Sequence, residues 1–306
     1  MKFDFDALVV GGGPAGLQAA MIFARAGRKV LVCDDDRPRN APTAHMHYFP
    51  TREGIEPAEF RRIFRADLAL YPEVSFRNET VLDIARGAGG FTVTLSKTSP
   101  ITVRKVILAM GVRDIMPDIP GAKELFGKSL FHCPFCHGYE FKGKALGLVG
   151  TGDHAFIMAS ILKGLTDDLA IFTESVAEFT PEQREALRRQ SISIYESPIA
   201  SYEHKGLALH TVKLEDGQRI AREGVLFRPR QEPKSDLAKN LGCRMTELGF
   251  YEVGPDGRST EQGIYIVGDA ADMRQSAITA VFTGTMAAVT ANMEIAREIM
   301  MDSTLD

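Results

Sequence analysis

The stretch His132-Cys133-Pro134-Phe135-Cys136-His137-Gly138-Tyr139-Glu140 holds the most reactive side chains of the sequence. Two thiols separated by two residues can close a disulfide, and at the start of a helix that spacing lowers one thiol's pKa. Four kinds of chemistry share the pattern: a redox dithiol, structural zinc, covalent haem and an inert pair. Structural zinc asks for about four ligands. Only His132 and His137 stand close by, while Cys33 and Cys243 fall in distant elements, so no metal is expected. Cys133 to His137 also spells the C-x-x-C-H of haem attachment. That option is set aside because Met1 to Asp6 carry neither the apolar run nor the cleavage pattern of an export signal. The cysteine-spacing rules favour the redox dithiol. His45 and His47 make a second histidine pair, but two histidines without a third ligand read as ordinary loop residues.

Two other stretches have the form of phosphate-holding turns. Gly11, Gly13 and Gly16 fit G-x-G-x-x-G, with Pro14 and Ala15 between the last two. Glycine is required there because a tight turn and close backbone approach to a pyrophosphate leave no room for a Cβ. The free N–H groups at the following helix start would then face the anion. Asp34 follows Gly11 by about 20 residues, the separation at which a carboxylate accepts the hydroxyls of an adenosine ribose. Gly150-Thr151-Gly152-Asp153-His154-Ala155 repeats the turn as G-x-G-x-x-A.

These residues need particular elements to hold them. Ala7 to Val10 is a strand, Leu17 to Ala26 a helix ended by Gly27, and Lys29 to Cys33 a second strand, which together make a βαβ unit. A second unit runs from the strand Ala145 to Val149, through a helix Phe156 to Lys163, to the strand Leu169 to Phe172. The fold class expected is α/β, with two Rossmann-like domains and the second inserted in the first. The exits lie in the proline-bearing segments Arg113 to Pro120 and Phe227 to Pro233. A strand Ile264 to Val267 and a long amphipathic helix, about Ser276 to Met300, close the chain. The 306 residues, 44% hydrophobic and 25% charged, can bury a large core without disulfide staples. A net charge of −4 offers no basic surplus for a phosphate backbone, so no nucleic-acid partner is expected. No apolar run approaches the ~20 residues that would span a bilayer. The expectation is a cytoplasmic protein without membrane contact.

Val106-Ile107-Leu108-Ala109-Met110-Gly111 and Gly263-Ile264-Tyr265-Ile266-Val267-Gly268-Asp269 resemble two segments of the two-dinucleotide-binding flavoproteins. The resemblance implies FAD as the amino-terminal nucleotide, with Ala109 and Gly111 crossing close to it and Gly268-Asp269 at its ribityl-pyrophosphate region. The order of FAD turn, Ala-Met-Gly strand, C-x-x-C, second turn and Gly-Asp strand is similar to the low-molecular-weight thioredoxin reductase family over nearly the whole chain. Phe126-Gly127-Lys128 and Arg274-Gln275-Ser276-Ala277 add to the likeness. It implies an FAD-binding domain at 1–115 plus 231–306 and an NAD(P)H-domain-like domain at 116–230 carrying the cysteine pair. It further implies that Cys136 is the flavin-facing thiol and Cys133 the interchange thiol. The Arg274-Gln275 backbone would lie at the pyrimidine edge of the flavin, and the chain would form a homodimer.

The sequence departs from the reductases at two places. The acid–base aspartate after C-x-x-C is replaced by His137, whose imidazole can take or give a proton near neutral pH. The basic residues of the His-Arg-Arg-x-x-x-Arg run, whose arginines clamp the 2′-phosphate of NADPH, are replaced by Thr173, Glu174, Ser175 and Phe179. Cys-Pro-Phe-Cys-His-Gly-Tyr-Glu without that clamp, together with Arg39-Asn40-Ala41 and His45, is similar to the side branch of dithiol oxidases that close gliotoxin- and holomycin-type disulfides. The expected activity is FAD-dependent dithiol–disulfide exchange through Cys133, Cys136 and His137 without NADPH, on a small-molecule or thioredoxin-like partner. A thioredoxin reductase using NADH or another donor, with Glu174 holding an unphosphorylated ribose, and a flavin-bound redox sensor are the alternatives.

Overall fold

The computed structural model describes residues 3–301. In chain order it begins with β1 (Phe5–Val10), α1 (Pro14–Arg25), β2 (Val30–Cys33), α2 (Pro57–Leu68), β3 (Val74–Arg77), β4 (Val81–Gly87), β5 (Gly90–Leu95) and β6 (Ile101–Leu108). It continues through β7 (Val112–Ile115), α3 (Ala122–Leu125), β8 (Leu130–Phe131), α4 (Pro134–His137), β9 (Leu146–Val149), α5 (Gly152–Lys163), β10 (Leu169–Phe172) and α6 (Pro181–Arg189). Then come β11 (Ser193–Tyr195), β12 (Ile199–Lys205), β13 (Ala208–Leu214), β14 (Arg219–Ala221) and β15 (Gly224–Leu226). The last elements are β16 (Arg230–Pro233), α7 (Leu237–Asn240), β17 (Ile264–Ile266) and α8 (Ala277–Met301).

The chain divides into two compact units, one of residues 1–39, 58–113 and 231–306, the other of 40–57 and 114–230. Both crossings near 113 and 230 fall inside the proline-bearing segments that the sequence marks as exits. Residues 40–57 differ from expectation. The sequence reading leaves them with the first domain, whereas they group with the second. Their ties within that unit explain it: Thr43 hydrogen-bonds His137, and Pro42 packs on Gly127.

In the first unit β1 pairs in parallel with β2 on one side and β6 on the other, and β2 pairs in parallel with β3. β6 is long enough to serve two partners on its far edge. Its first residues pair antiparallel with β5, and its last pair in parallel with β17. The register Val10↔Cys33, Val10↔Leu108 and Ile266↔Leu108 brings the carboxyl ends of β1, β2, β6 and β17 to one edge. That edge is where open α/β sheets bind ligands. α1 and α8 cover one face through small residues: Ala15, Ala19, Ala280, Ala287, Ala288 and Ala291 are all buried. A Cβ on Gly284 would lie 2.2 Å from the Ala15 carbonyl oxygen, so glycine is what lets α8 come that close.

In the second unit the sheet order is β11-β10-β9-β15-β8, parallel at every pairing. α5 and α6 pack Ala155, Ala159, Leu162 and Leu187 against Leu146, Leu148, Leu169 and Ile171. The three-stranded antiparallel sheet β12-β13-β14 is attached through Ile199, Tyr202, Leu209, Val212 and Leu214. The parallel register Leu226↔Phe131 and Leu226↔Leu148 sets the end of β8, and so the cysteine pair, at the edge that also carries the Gly150 turn.

Candidate active site

Cys133 and Cys136 are joined in a disulfide with Cα atoms 5.3 Å apart. The local sequence accounts for the geometry. Cys133 is extended at the N-cap of α4, Pro134 occupies the first helical position, and the Cys136 N–H donates to Cys133 Sγ at 3.1 Å. A hydrogen bond to the sulfur favours its charged form, so it supports a thiolate once the pair is reduced. The His137 ring stacks on Phe131 with centroids 6.3 Å apart, and its Nε2 lies 2.6 Å from Thr43 Oγ1. Burial holds its pKa below the ordinary histidine value, while the nearby Glu140 carboxylate pulls the other way.

The loop 40–57 supplies further neighbours, among them Tyr48, which the sequence did not point to. The Tyr48 hydroxyl lies 3.7 Å from Cys136 Sγ. His47 joins Glu53 (2.7 Å) to Glu140 (3.3 Å) through its two ring nitrogens. His45 is bound to the Gly54 carbonyl oxygen at 3.0 Å. Among the described residues no group of three His, Cys, Asp or Glu side chains could hold a metal ion. Cys33 and Cys243 are buried, and burial raises both thiols, Cys33 to about 12. They stay protonated at neutral pH and take no part in exchange.

The first unit gathers the glycine turn and its companions at the sheet edge. A Cβ on Gly11 would stand 2.4 Å from the Ala109 carbonyl oxygen, and one on Gly16 would stand 1.9 Å from that of Gly11. Gly13 caps α1 with no side-chain hydrogen bond, and its added Cβ would meet nothing within 4 Å. The turn is thus closed by packing on one side and open at Gly13, as a bound pyrophosphate requires. Pro14 and Ala15 begin the helix, so the N–H groups of its first turn face outward from a proline-initiated end. Asp34 packs against Gly12, a glycine that the motif left unspecified, and accepts from Arg65 at 2.5 Å. Arg61, held mainly by Asp36, flanks it.

Ala109 donates to the Val10 carbonyl oxygen at 2.9 Å, and the Gly111 carbonyl oxygen accepts from Lys234 N at 3.2 Å. Gly268, at positive φ, donates to Thr283 Oγ1 at 3.0 Å. Asp269 accepts from Arg39 Nη1 at 2.9 Å, and the same nitrogen donates to Gln275 Oε1 at 2.7 Å. Gln275 in turn donates to Gln231 at 2.8 Å. Arg39, Arg61, Arg65 and Gln231 were not among the site residues read from sequence, because nothing in their spacing ties them to the turn. The Arg274 side chain is exposed and folds back on Asp272, which also accepts from the Arg274 backbone N–H at 2.8 Å. Ser276 accepts from Thr279 N at 3.1 Å and so caps α8.

With this geometry in view, residues 5–292 match the model of the family described as pyridine nucleotide-disulphide oxidoreductase. The chain belongs to that family. The thioredoxin reductase sirT of Leptosphaeria maculans is 32% identical over 302 residues, 92% of each chain. The thioredoxin reductase tcpT of Claviceps purpurea is 31% identical over 309 residues, 96% of this chain and 95% of that one. Among solved structures HlmI matches with a TM-score of 0.89 at 34% identity, covering 96% of this chain and 93% of its own. An oxidoreductase from Agrobacterium tumefaciens gives 0.89 at 30%, covering 97% and 99%. This pyridine nucleotide-disulphide oxidoreductase is therefore a flavin-dependent, thioredoxin reductase-like enzyme, and it carries a Cys133–Cys136 disulfide. No helix of the described residues is long and apolar enough to cross a membrane.

Proposed function

We propose that the protein is an FAD-dependent dithiol oxidase that does not draw its electrons from NADPH. The observation that carries this reading lies at the second glycine turn. Thr173 and Phe179 are buried, while Glu174 is exposed, its carboxylate accepting a backbone hydrogen bond from Ile199. Desolvation raises the Glu174 pKa, and the carboxyl offers a 2′-phosphate no cation in place of the arginine. The following loop is pinned across the turn: Glu178 N donates to Thr151 Oγ1 at 2.7 Å, and Gln183 donates to Asp153 at 3.0 Å. Arg184, the nearest arginine, is spent on the Ala177 carbonyl oxygen and lies 3.7 Å from Glu196. No guanidinium of this loop is left for the 2′-phosphate clamp. The likeness to the dithiol-oxidase side branch, in the Cys-Pro-Phe-Cys-His-Gly-Tyr-Glu run, supports the same reading.

Gly11 to Gly16, Asp34 and Asp269 fit FAD, with Gly13 open toward the pyrophosphate and the α1 amides behind it. Bound FAD would supply a two-electron acceptor that reoxidises the cysteine pair. The rest of the chemistry belongs to the chain. A substrate thiol gives its proton to His137, neutral at pH 7 because it is buried. The thiolate attacks Cys133 Sγ, the Cys133–Cys136 bond breaks, and Cys136 leaves as a thiolate within reach of the Tyr48 hydroxyl. The substrate's second thiol attacks the mixed disulfide, releases Cys133 and closes the product disulfide. Two electrons pass to the cysteine pair and two protons to His137 and solvent. Phe135 and Tyr139 stand exposed beside the disulfide, offering apolar surface to a small dithiol. The family likeness carries with it a homodimer in the cytoplasm.

Cys136→Ser tests the reading. It should abolish dithiol-dependent turnover, measured as oxygen consumption with dithiothreitol, while the protein keeps its flavin. Turnover retained in that variant would overturn the exchange mechanism.

A further inference from the structure

In the disulfide neither cysteine carries an S–H, so the 3.7 Å approach of the Tyr48 hydroxyl to Cys136 Sγ has one polarity: the hydroxyl donates and the sulfur accepts. Cys133 Sγ has a donor of its own, the Cys136 backbone N–H at 3.1 Å. The two sulfurs are thus served by different groups, one within α4 and one on a loop 88 positions earlier. Tyr48 is held there against its backbone preference. Its φ is 46° and that of Thr51 is 66°, in the left-handed region that bulky and β-branched side chains avoid. Residues in that state persist only where their surroundings over-determine them, and they cluster at active sites. Glu53 supplies the hold. One of its carboxylate oxygens accepts from the Tyr48 N–H at 2.8 Å, and the other lies 2.7 Å from His47 Nδ1. The segment is closed at its ends, with Met46 N donating to the Ile55 carbonyl oxygen at 2.8 Å and Gly54 N to that of Met46 at 2.9 Å.

We propose that Tyr48 is a catalytic residue of the thiol exchange, its hydroxyl hydrogen-bonding Cys136 Sγ and stabilising the thiolate that leaves as the disulfide opens. This rests on the dithiol reaction through Cys133 and Cys136 proposed above. The substrate thiolate bonds to Cys133 Sγ with its own electron pair, the Cys133–Cys136 bond breaks, and the pair of that bond stays on Cys136 Sγ. The tyrosine proton remains on its oxygen, so this step moves no proton. The contact is loose while the sulfur is neutral and tightens as charge develops, because a hydrogen bond to an ionised acceptor is shorter and roughly twice as strong. A stabilised thiolate is the better leaving group, so a donor on Cys136 directs attack to Cys133. The other titratable groups around the pair are His132, His137 on α4, Glu140 in the turn after it, and His47 and Glu53 beside Tyr48. Tyr48→Phe leaves all of these in place and removes the hydroxyl alone.

The test uses the flavin-loaded protein. Cys133→Ser leaves Cys136 as a lone thiol. Its ultraviolet thiolate absorbance, less that of Cys133→Ser/Cys136→Ser, follows Cys136 alone as pH is raised, because the flavin, Cys33 and Cys243 cancel. Adding Tyr48→Phe to Cys133→Ser should raise the Cys136 midpoint by about one unit. In the intact pair Tyr48→Phe should slow anaerobic flavin reduction by dithiothreitol roughly tenfold, the worth of one charge-assisted hydrogen bond in a rate. A phenylalanine ring takes the same half-exposed place, so the melting temperature should keep its wild-type value. A Cys136 midpoint unmoved by Tyr48→Phe would overturn the proposal, and with dithiothreitol still bleaching the wild-type flavin the dithiol-oxidase reading would stand. A Tyr48→Phe protein reduced at the wild-type rate would overturn the catalytic role in the same way. A wild-type flavin that dithiothreitol cannot reduce would remove the underlying reading and the catalytic role together.

Discussion

His137 shows how one side chain joins the sequence pattern to the chemistry. Its place directly after C-x-x-C is legible in the sequence, but its burial and its hydrogen bond to Thr43 are not, because Thr43 is remote in the chain. Desolvation disfavours the imidazolium, so the ring stays neutral at a lower pH than the ordinary value of 6.5. The sign follows for catalysis. As the proposed base, His137 is competent at neutral pH and is lost only as pH falls through the depressed folded pKa. The ratio of wild-type to His137→Gln reduction rates with dithiothreitol should therefore hold steady from pH 8 to about 6.5 and decline below it. A decline centred above 6.5 would contradict the buried, neutral imidazole. Stability follows the same sense. The unfolded chain takes up the proton first, so folding loses support as pH falls from the ordinary histidine range through the folded value.

At the scale of elements, the glycine turn and the two βαβ units were readable because each residue type there answers a local steric demand. The strands and helices lie within a few residues of where the periodicity puts them, except that α5 begins at Gly152, inside the turn itself. The loop 40–57 was not readable. Its sequence has no periodicity, and its partners, Cys136, His137 and Glu140, are brought to it only by the fold. The antiparallel β12-β13-β14 sheet also escaped, because its buried positions do not alternate regularly along the strands. The turn offers a paired prediction. Gly13→Ala meets no protein atom and has an ordinary φ of −78°. It should fold with a wild-type melting temperature yet be purified with little flavin. Gly16→Ala drives a Cβ into the Gly11 carbonyl oxygen and should cost about 1–3 kcal/mol of stability, read by denaturant melts. A Gly13→Ala protein that keeps its full complement of flavin would remove the pyrophosphate from that turn.

The whole molecule carries two nucleotide-binding folds whose sites are built very differently. The first unit leaves its glycine turn open and surrounds it with Asp34, Arg39 and Asp269. The second keeps the glycines but lays its own loop across them through Thr151, Asp153, Glu178 and Gln183. The same unit places the Cys133–Cys136 disulfide at the carboxyl edge of its sheet. On the proposed reading the two-unit fold serves one electron carrier, the flavin, and a thiol exchange site. The direct test is an anaerobic titration of the flavin-loaded protein, followed by its visible absorbance, with NADPH, then NADH, then dithiothreitol. Bleaching by dithiothreitol alone, with colour returning in air, is the predicted result. Rapid bleaching by low concentrations of NADPH would contradict it and make the protein a nicotinamide-driven reductase.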